Sequence, residues 1–158
     1  MDRRVTFLIG LLAFTLPSTS PAQPTGESTV AESLGDLHRL VNTHRRDAGC
    51  QELRWHEGAA RVAEAHSADM SRRDYFDHVT PEGTDLSRRL LEGGVTWHGS
   101  IAENLALTMQ GPETVIDLWL NSPPHRAILE ECSLTHHGLG LFRDRWTQVL
   151  LSDPAAET

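Results

Sequence analysis

The chain has 158 residues, 39% of them hydrophobic and 23% charged, with a formal net charge of −8 at pH 7. That length suits one globular domain rather than two. All 14 basic residues are arginine, and none forms a block dense enough to neutralise phosphates, which excludes nucleic-acid binding and electrostatic docking on anionic lipid as leading functions.

The first residues, MDRRVTFLIGLLAFTLPSTSPAQPTG, open with Arg3 and Arg4 and continue into the apolar run Val5–Leu16. This run is too short to span a bilayer comfortably. Small residues and prolines follow, and Ser20-Pro21-Ala22 fits a cleavage site. The layout predicts a secretory signal peptide over 1–22 and a secreted or periplasmic product with no transmembrane helix in the mature chain. Arg3-Arg4 fits an ordinary signal or twin-arginine export equally. No cysteine follows the apolar run, so no lipoprotein attachment point is expected.

Cys50 and Cys132 are the two cysteines. An exported chain with an even count points to one disulfide, the alternative being two buried thiols. Closing so long a loop stabilises by about 4.5 kcal/mol in the chain-entropy picture.

Residues 23–33 are polar and turn-rich at their start and read as a flexible lead-in to a domain over 34–153. Leu34, Leu37, Leu40 and Val41 keep helical spacing within a helix expected over 31–47, and Gly49 is placed to end it. After the connector CQELRW, residues 56–73 form an alanine-rich helix with Ala59, Val62, Ala63, His66 and Met70 in the three-four rhythm. His66 reads as a polar residue at the core edge, since no second ligand stands four positions on. Residues 74–85 are loop, fixed by Pro81 and Gly83, and Asp85 is placed to cap a short helix ended by Gly93-Gly94.

VTWHGSIAENLAL is ambiguous between strand and irregular structure. Gly111-Pro112 starts another helix, with Val115, Leu118 and Trp119 apolar; Trp119 reads as core. Ser122-Pro123-Pro124 interrupts the chain before one or two helical turns at 125–131. HHGLGLF and RWTQVLL, joined around Arg143-Asp144-Arg145, read as an antiparallel hairpin. Helices first and a small sheet last give the class α+β or a layered α/β/α domain.

Local catalytic motifs are absent: there is no GxSxG, and His56-Glu57 lacks the second histidine of a zinc-protease motif. Three segments stand out together instead: HSADMSRRDYFDHVTPEG (66–83), IAENLAL (101–107) and WLNSPPHRAILEEC (119–132), followed by HHGLGL and WTQVL. In this order they resemble the CAP superfamily, or SCP domain, of cysteine-rich secretory proteins, antigen 5 and plant pathogenesis-related proteins, and above all its small bacterial branch. The resemblance covers roughly residues 34–152.

That resemblance implies a three-layer α-β-α sandwich with a small central antiparallel sheet, and a cleft that many members line with two histidines and two glutamates. Carried over by motif, these are His78, Glu103 and His125. The second glutamate is missing, because Ser122 stands where it would follow Trp119. Two imidazoles and a carboxylate suit a divalent metal such as zinc, with a position left for water or substrate. The bland alternative is that these groups brace the cleft loops.

Asn104, Ser122 and Thr147 are the further cleft-lining candidates. Gln148 shares the last strand with Thr147, His98 is an accessory ligand candidate, and His136-His137 an adventitious one. A Ser122–His125 nucleophile is conceivable, with nothing in the sequence to activate it. The missing carboxylate removes the obvious acid/base pair, so the reading leans away from an enzyme. The expected function is a secreted protein whose cleft binds an extracellular or envelope ligand: a lipid, peptide, glycan or protein. A metal-dependent hydrolase using the same residues is the alternative.

Overall fold

The computed structural model describes residues 26–152 and Pro154, with side chains described from residue 29 on. The expected signal peptide, 1–22, lies outside them. The elements run α1 Gly26–Asp47, β1 Arg54–Trp55, α2 Glu57–Arg73, α3 Leu86–Glu92, β2 Ile101–Leu107, α4 Pro112–Leu120, α5 Pro123–Leu129, β3 His136–Phe142 and β4 Arg145–Leu151. The sheet order is β1-β3-β4-β2. The α+β class holds, with helices on both faces of the sheet.

The three long strands are antiparallel, as expected. The two-residue β1 pairs parallel to β3, which makes the sheet mixed rather than purely antiparallel. Arg54 and Trp55 approach β3 from the end of α1, so the chain arrives there running in the same direction as β3.

Alternation on β4 divides the core. Trp146 and Leu150 pack with α1, α4 and α5, around Leu37, Val115, Trp119 and Leu129. Val149 and Leu151 pack on the other face with Ala59, Val62 and Ala63 of α2 and Leu90 of α3. A strand sends successive side chains to opposite faces, so each layer draws on alternate positions. Trp119 is fully buried and donates its indole N–H to the Leu105 carbonyl at 3.0 Å, which satisfies its one polar atom.

Helix α2 lies closest to the sheet, and the HHGLGLF glycines are the reason. A Cβ on Gly138 would stand 2.0 Å from the Ala60 backbone nitrogen, and one on Gly140 would stand 2.2 Å from that of Glu64. The buried alanines of α2 and the two glycines of β3 are thus two halves of one close contact.

Several boundaries differ from the sequence reading. Helix α1 begins at Gly26, so residues 26–33 belong to a helix instead of a flexible lead-in; the alanine and glutamates that follow favour helix. His56 stands outside α2 as its N-cap, and its Nδ1 accepts from the Ala59 N–H at 3.1 Å. Pro123 and Pro124 open α5 rather than break the chain, because a first-turn proline lacks only an N–H that has no helical partner anyway. Asp85 caps α3 as expected, accepting from the Arg88 N–H at 2.9 Å.

Cys50 and Cys132 form the expected disulfide across a separation of 82 residues, with Cα atoms 5.0 Å apart. Arg45, fully buried, organises the same junction. Its guanidinium donates to the carbonyls of Gln51, Leu129, Glu131 and Leu134 at 2.7–3.1 Å. Burial lowers its pKa from the ordinary arginine value, and those four carbonyls replace the water it gave up.

Candidate functional site

Glu103 sits on β2, the edge strand, paired with Val149 and therefore on the α2 face of the sheet. Its carboxylate is almost wholly buried and both oxygens are taken. Oε1 accepts from His78 Nδ1 at 2.9 Å, and Oε2 accepts from Arg89 Nη2 at 2.6 Å. The side chain of Glu103 is 3% exposed, that of Arg89 10% and that of His78 53%. A buried anion is thus clamped by a buried cation while the imidazole projects into solvent.

The loop 74–85 that presents His78 is held from three directions. Arg89 Nη1 donates to the His78 carbonyl at 2.7 Å. His66 Nε2 donates to the Asp77 carbonyl at 3.0 Å. Inside the loop, the Thr80 N–H donates to the Thr84 carbonyl at 3.0 Å and the Gly83 N–H to Thr80 at 2.8 Å. Gly83 has φ 88°, a left-handed value that glycine adopts without strain.

His125 comes from the opposite layer, on α5, which packs against β2. It makes no hydrogen bond to Glu103, but it lies near enough to His78 to feel its charge. Burial first, and the His78 charge second, lower the His125 pKa from 6.5. The His78 pKa is raised, chiefly by its hydrogen bond to Glu103. The two imidazoles are therefore pushed apart: His78 toward the protonated form, His125 toward the neutral one. Such divergence is what separates an acid from a base in a shared site.

The remaining candidates fall elsewhere. Asn104, expected at the cleft, belongs to the opposite face of β2, because it follows Glu103 directly and strand neighbours alternate. It donates to Gln148 Oε1 at 3.0 Å. Thr147 shares the face of Glu103 but is buried under α2, with its hydroxyl 2.8 Å from Ser67 Oγ. Ser122 is the N-cap residue of α5, and its side chain caps no N–H. His98 is exposed. His136 and His137, adjacent on β3, turn to opposite faces.

Sequence reasoning missed Arg89. Nothing in LSRRLL sets it apart from Arg88, which is exposed and pairs with Glu92 at 2.7 Å; only the turn of α3 decides which arginine meets Glu103. It also missed a polar chain on the α1 face. Gln148 Nε2 donates to His137 Nδ1 at 3.0 Å, so His137 carries its proton on Nε2 and donates to His38 Nδ1 at 2.7 Å. His137 is fully buried, and burial drives its pKa down to about 3.

The residues carried over for a divalent ion are His78, Glu103 and His125, and within this trio Glu103 is hydrogen-bonded to His78 Nδ1 and, outside it, to Arg89 Nη2. Among the described residues, no group of three or more His, Cys, Asp or Glu side chains is arranged to hold a metal ion. Among them also, no helix is long and apolar enough to cross a membrane.

The family profile described as CAP, the cysteine-rich secretory protein family, matches residues 38–149. The chain belongs to this family. Among curated proteins, the CAP chain is 37% identical over 109 residues to the uncharacterized membrane protein YlbC of Bacillus subtilis (strain 168), covering 69% of this chain and 31% of that protein. It is 29% identical over 136 residues to the uncharacterized protein YkwD of the same organism, covering 85% of this chain and 51% of YkwD. The chain thus spans about a third and about half of the length of these two relatives. Among solved structures, an extracellular protein containing an SCP domain from Bacillus anthracis str. Ames superposes with a TM-score of 0.78 at 27% identity, over 84% of this chain and 45% of that one.

Proposed function

We propose that this CAP domain is a secreted, extracytoplasmic binding protein whose recognition site is the half-exposed His78 imidazole, set against Glu103 and flanked by His125. The observation that carries this reading is the clamp on Glu103. With one carboxylate oxygen on Arg89 and the other on His78, the glutamate fixes the ring and leaves Nε2 as the atom offered to a ligand. A protonated His78 presents Nε2–H to an acceptor such as a carbonyl, hydroxyl or phosphate oxygen of an envelope lipid, peptide, glycan or protein. The apolar neighbours Phe76 and Val79, 44% and 41% exposed, supply adjoining contact surface. Export is supported by the leader pattern over 1–22 and by the extracellular neighbour of the same fold.

The test is binding of envelope fractions, lipids, peptides and glycans to the wild type, His78→Ala and His125→Ala, with metal content and zinc affinity followed across pH. Saturable binding that is lost in both variants while their fold is kept is the expected result. Zinc-dependent turnover of a peptide, ester or glycan that requires His78 would overturn it in favour of a metal-dependent hydrolase. That alternative would draw on His78 Nε2 and His125 in their neutral forms, since ligation requires a deprotonated imidazole nitrogen.

A further inference from the structure

A concavity of about 400 Å³ opens between the first half of α1, the end of β1 and the start of α2. It is lined by Ala31, Leu34, Gly35, His38, Trp55 and Glu57. That volume lies within the range of small-molecule sites. None of His78, Glu103 and His125 lines it.

The wall follows from local structure. Positions 31, 34, 35 and 38 are three and four apart, so they share one side of α1. Gly35 leaves that side bare, and a Cβ there would meet nothing within 4 Å. All six lining residues keep solvent-accessible surface. Trp55, a large aromatic residue, is 37% exposed.

The polar groups of the wall lie within reach of one another. Trp55 Nε1–H donates to Glu57 Oε1 at 2.9 Å, which sets the carboxylate beside the indole edge and uses one of its two oxygens. The ring centroid of His38 is 5.9 Å from that of Trp55. His38 is itself anchored, since its Nδ1 accepts from His137 at 2.7 Å. One small molecule resting on the indole therefore meets the carboxylate on one side and the apolar side of α1 on another.

Charge selects the ligand. The lining holds a carboxylate and no arginine. Two arginines of α1, Arg39 and Arg46, are paired with Asp36 and Glu52. Burial lowers the His38 pKa from 6.5, so its ring is uncharged at neutral pH. The chain as a whole carries a formal charge of −8. An anion is repelled here, and a neutral molecule leaves Glu57 unused. A cation gains from the carboxylate and from the face of the indole together.

We propose that this concavity, separate from the His78 cleft, binds a small soluble amphiphilic ammonium ion: a positively charged amine head on a short apolar chain. The head rests on Trp55 within reach of Glu57, and the chain lies along Ala31, Leu34 and Gly35. Gly35→Leu fills the space from the helix side without meeting protein atoms at its Cβ, and Glu57→Gln removes the charge while keeping an acceptor for the indole N–H.

The experiment is an NMR titration of the ¹⁵N-labelled full chain at neutral pH with hexyltrimethylammonium, with hexanol as its neutral counterpart and with hexanoate as the anion. Saturable shifts of the Trp55 indole N–H and the Gly35 amide with the ammonium ion are expected, at an affinity at least about tenfold above that for hexanol. Glu57→Gln should erase most of that preference, Gly35→Leu should abolish saturation while the remaining spectrum stays folded, and His78→Ala should change neither. The proposal is overturned if the ammonium ion does not saturate, if hexanol or hexanoate binds as tightly, or if Glu57→Gln keeps the preference. It is overturned as well if Gly35→Leu still binds, or if His78→Ala abolishes binding, which would place the ligand in the other cleft. Binding to phosphatidylcholine vesicles without binding of the soluble ion would replace it with a membrane-docking role for Trp55.

Discussion

Arg89 holds Glu103 and His78 together: one terminal nitrogen meets the Glu103 carboxylate at 2.6 Å and the other meets the His78 carbonyl at 2.7 Å. The pair Arg89–Glu103 is buried on both sides. Removing one partner of such a pair leaves an uncompensated charge, which typically costs about 3–5 kcal/mol. Arg89→Ala should therefore destabilise the domain by that order in urea denaturation and loosen the loop 74–85 in hydrogen exchange. Loss of less than about 1 kcal/mol, the size of a surface pair, would mean that the clamp does not bear on the fold.

The same geometry sets a pH response for His78. Its folded pKa is raised above 6.5, first by the Glu103 hydrogen bond. A raised folded pKa gives stability that is fully present below the unfolded value and lost as pH rises through the folded value. NMR titration should place His78 above 6.5, and Glu103→Gln should bring it down. An unchanged midpoint in Glu103→Gln would remove Glu103 as the cause. Binding that uses Nε2–H of the protonated ring should weaken over the same rise in pH.

His137 has the opposite sign. Burial holds its folded pKa at about 3, far below 6.5. The unfolded chain takes up the proton first, so stability falls as pH drops from about 6.5 toward 3, by up to roughly 1.4 kcal/mol per pH unit for this one group. His137→Gln, provided it keeps the bond to Gln148, should flatten the acid limb of the stability curve. An equally steep limb in the variant would assign acid unfolding to other groups.

Gly138 and Gly140 permit the approach of α2. Gly138→Ala places a methyl on the backbone of Ala60, and backbone cannot rotate away as a side chain can. Overpacking of this kind costs about 1–3 kcal/mol or more. A thermal melt should show a marked loss for Gly138→Ala, whereas Gly35→Ala, where a Cβ meets nothing within 4 Å, should be neutral or stabilising. Equal effects at the two positions would contradict the close helix–sheet contact.

The sequence determined the order of the helices, the closing hairpin and most of the core positions on α1 and α2, and it named the disulfide partners. Periodicity in LHRLV and AARVAEAH is local, and capping by Asp85 or a first-turn proline uses neighbours within one turn. Two cysteines allow one intramolecular pairing. His78 and Glu103 were legible too, through the motifs around them. Their meeting at 2.9 Å was not, since 25 positions separate them.

Tertiary structure alone decided the rest. Asn104 follows Glu103, yet strand alternation places it on the other face, beside Gln148. Arg88 and Arg89 are adjacent and chemically identical, yet the rotation of one residue around α3 leaves the first in solvent and drives the second onto a buried carboxylate. His66 is a core residue whose Nε2 meets the Asp77 carbonyl at 3.0 Å, a partner that only the path of the loop 74–85 supplies. Local sequence fixes the propensity to turn; the direction in which a side chain points, and the partner already waiting there, follow from packing between segments far apart in the chain.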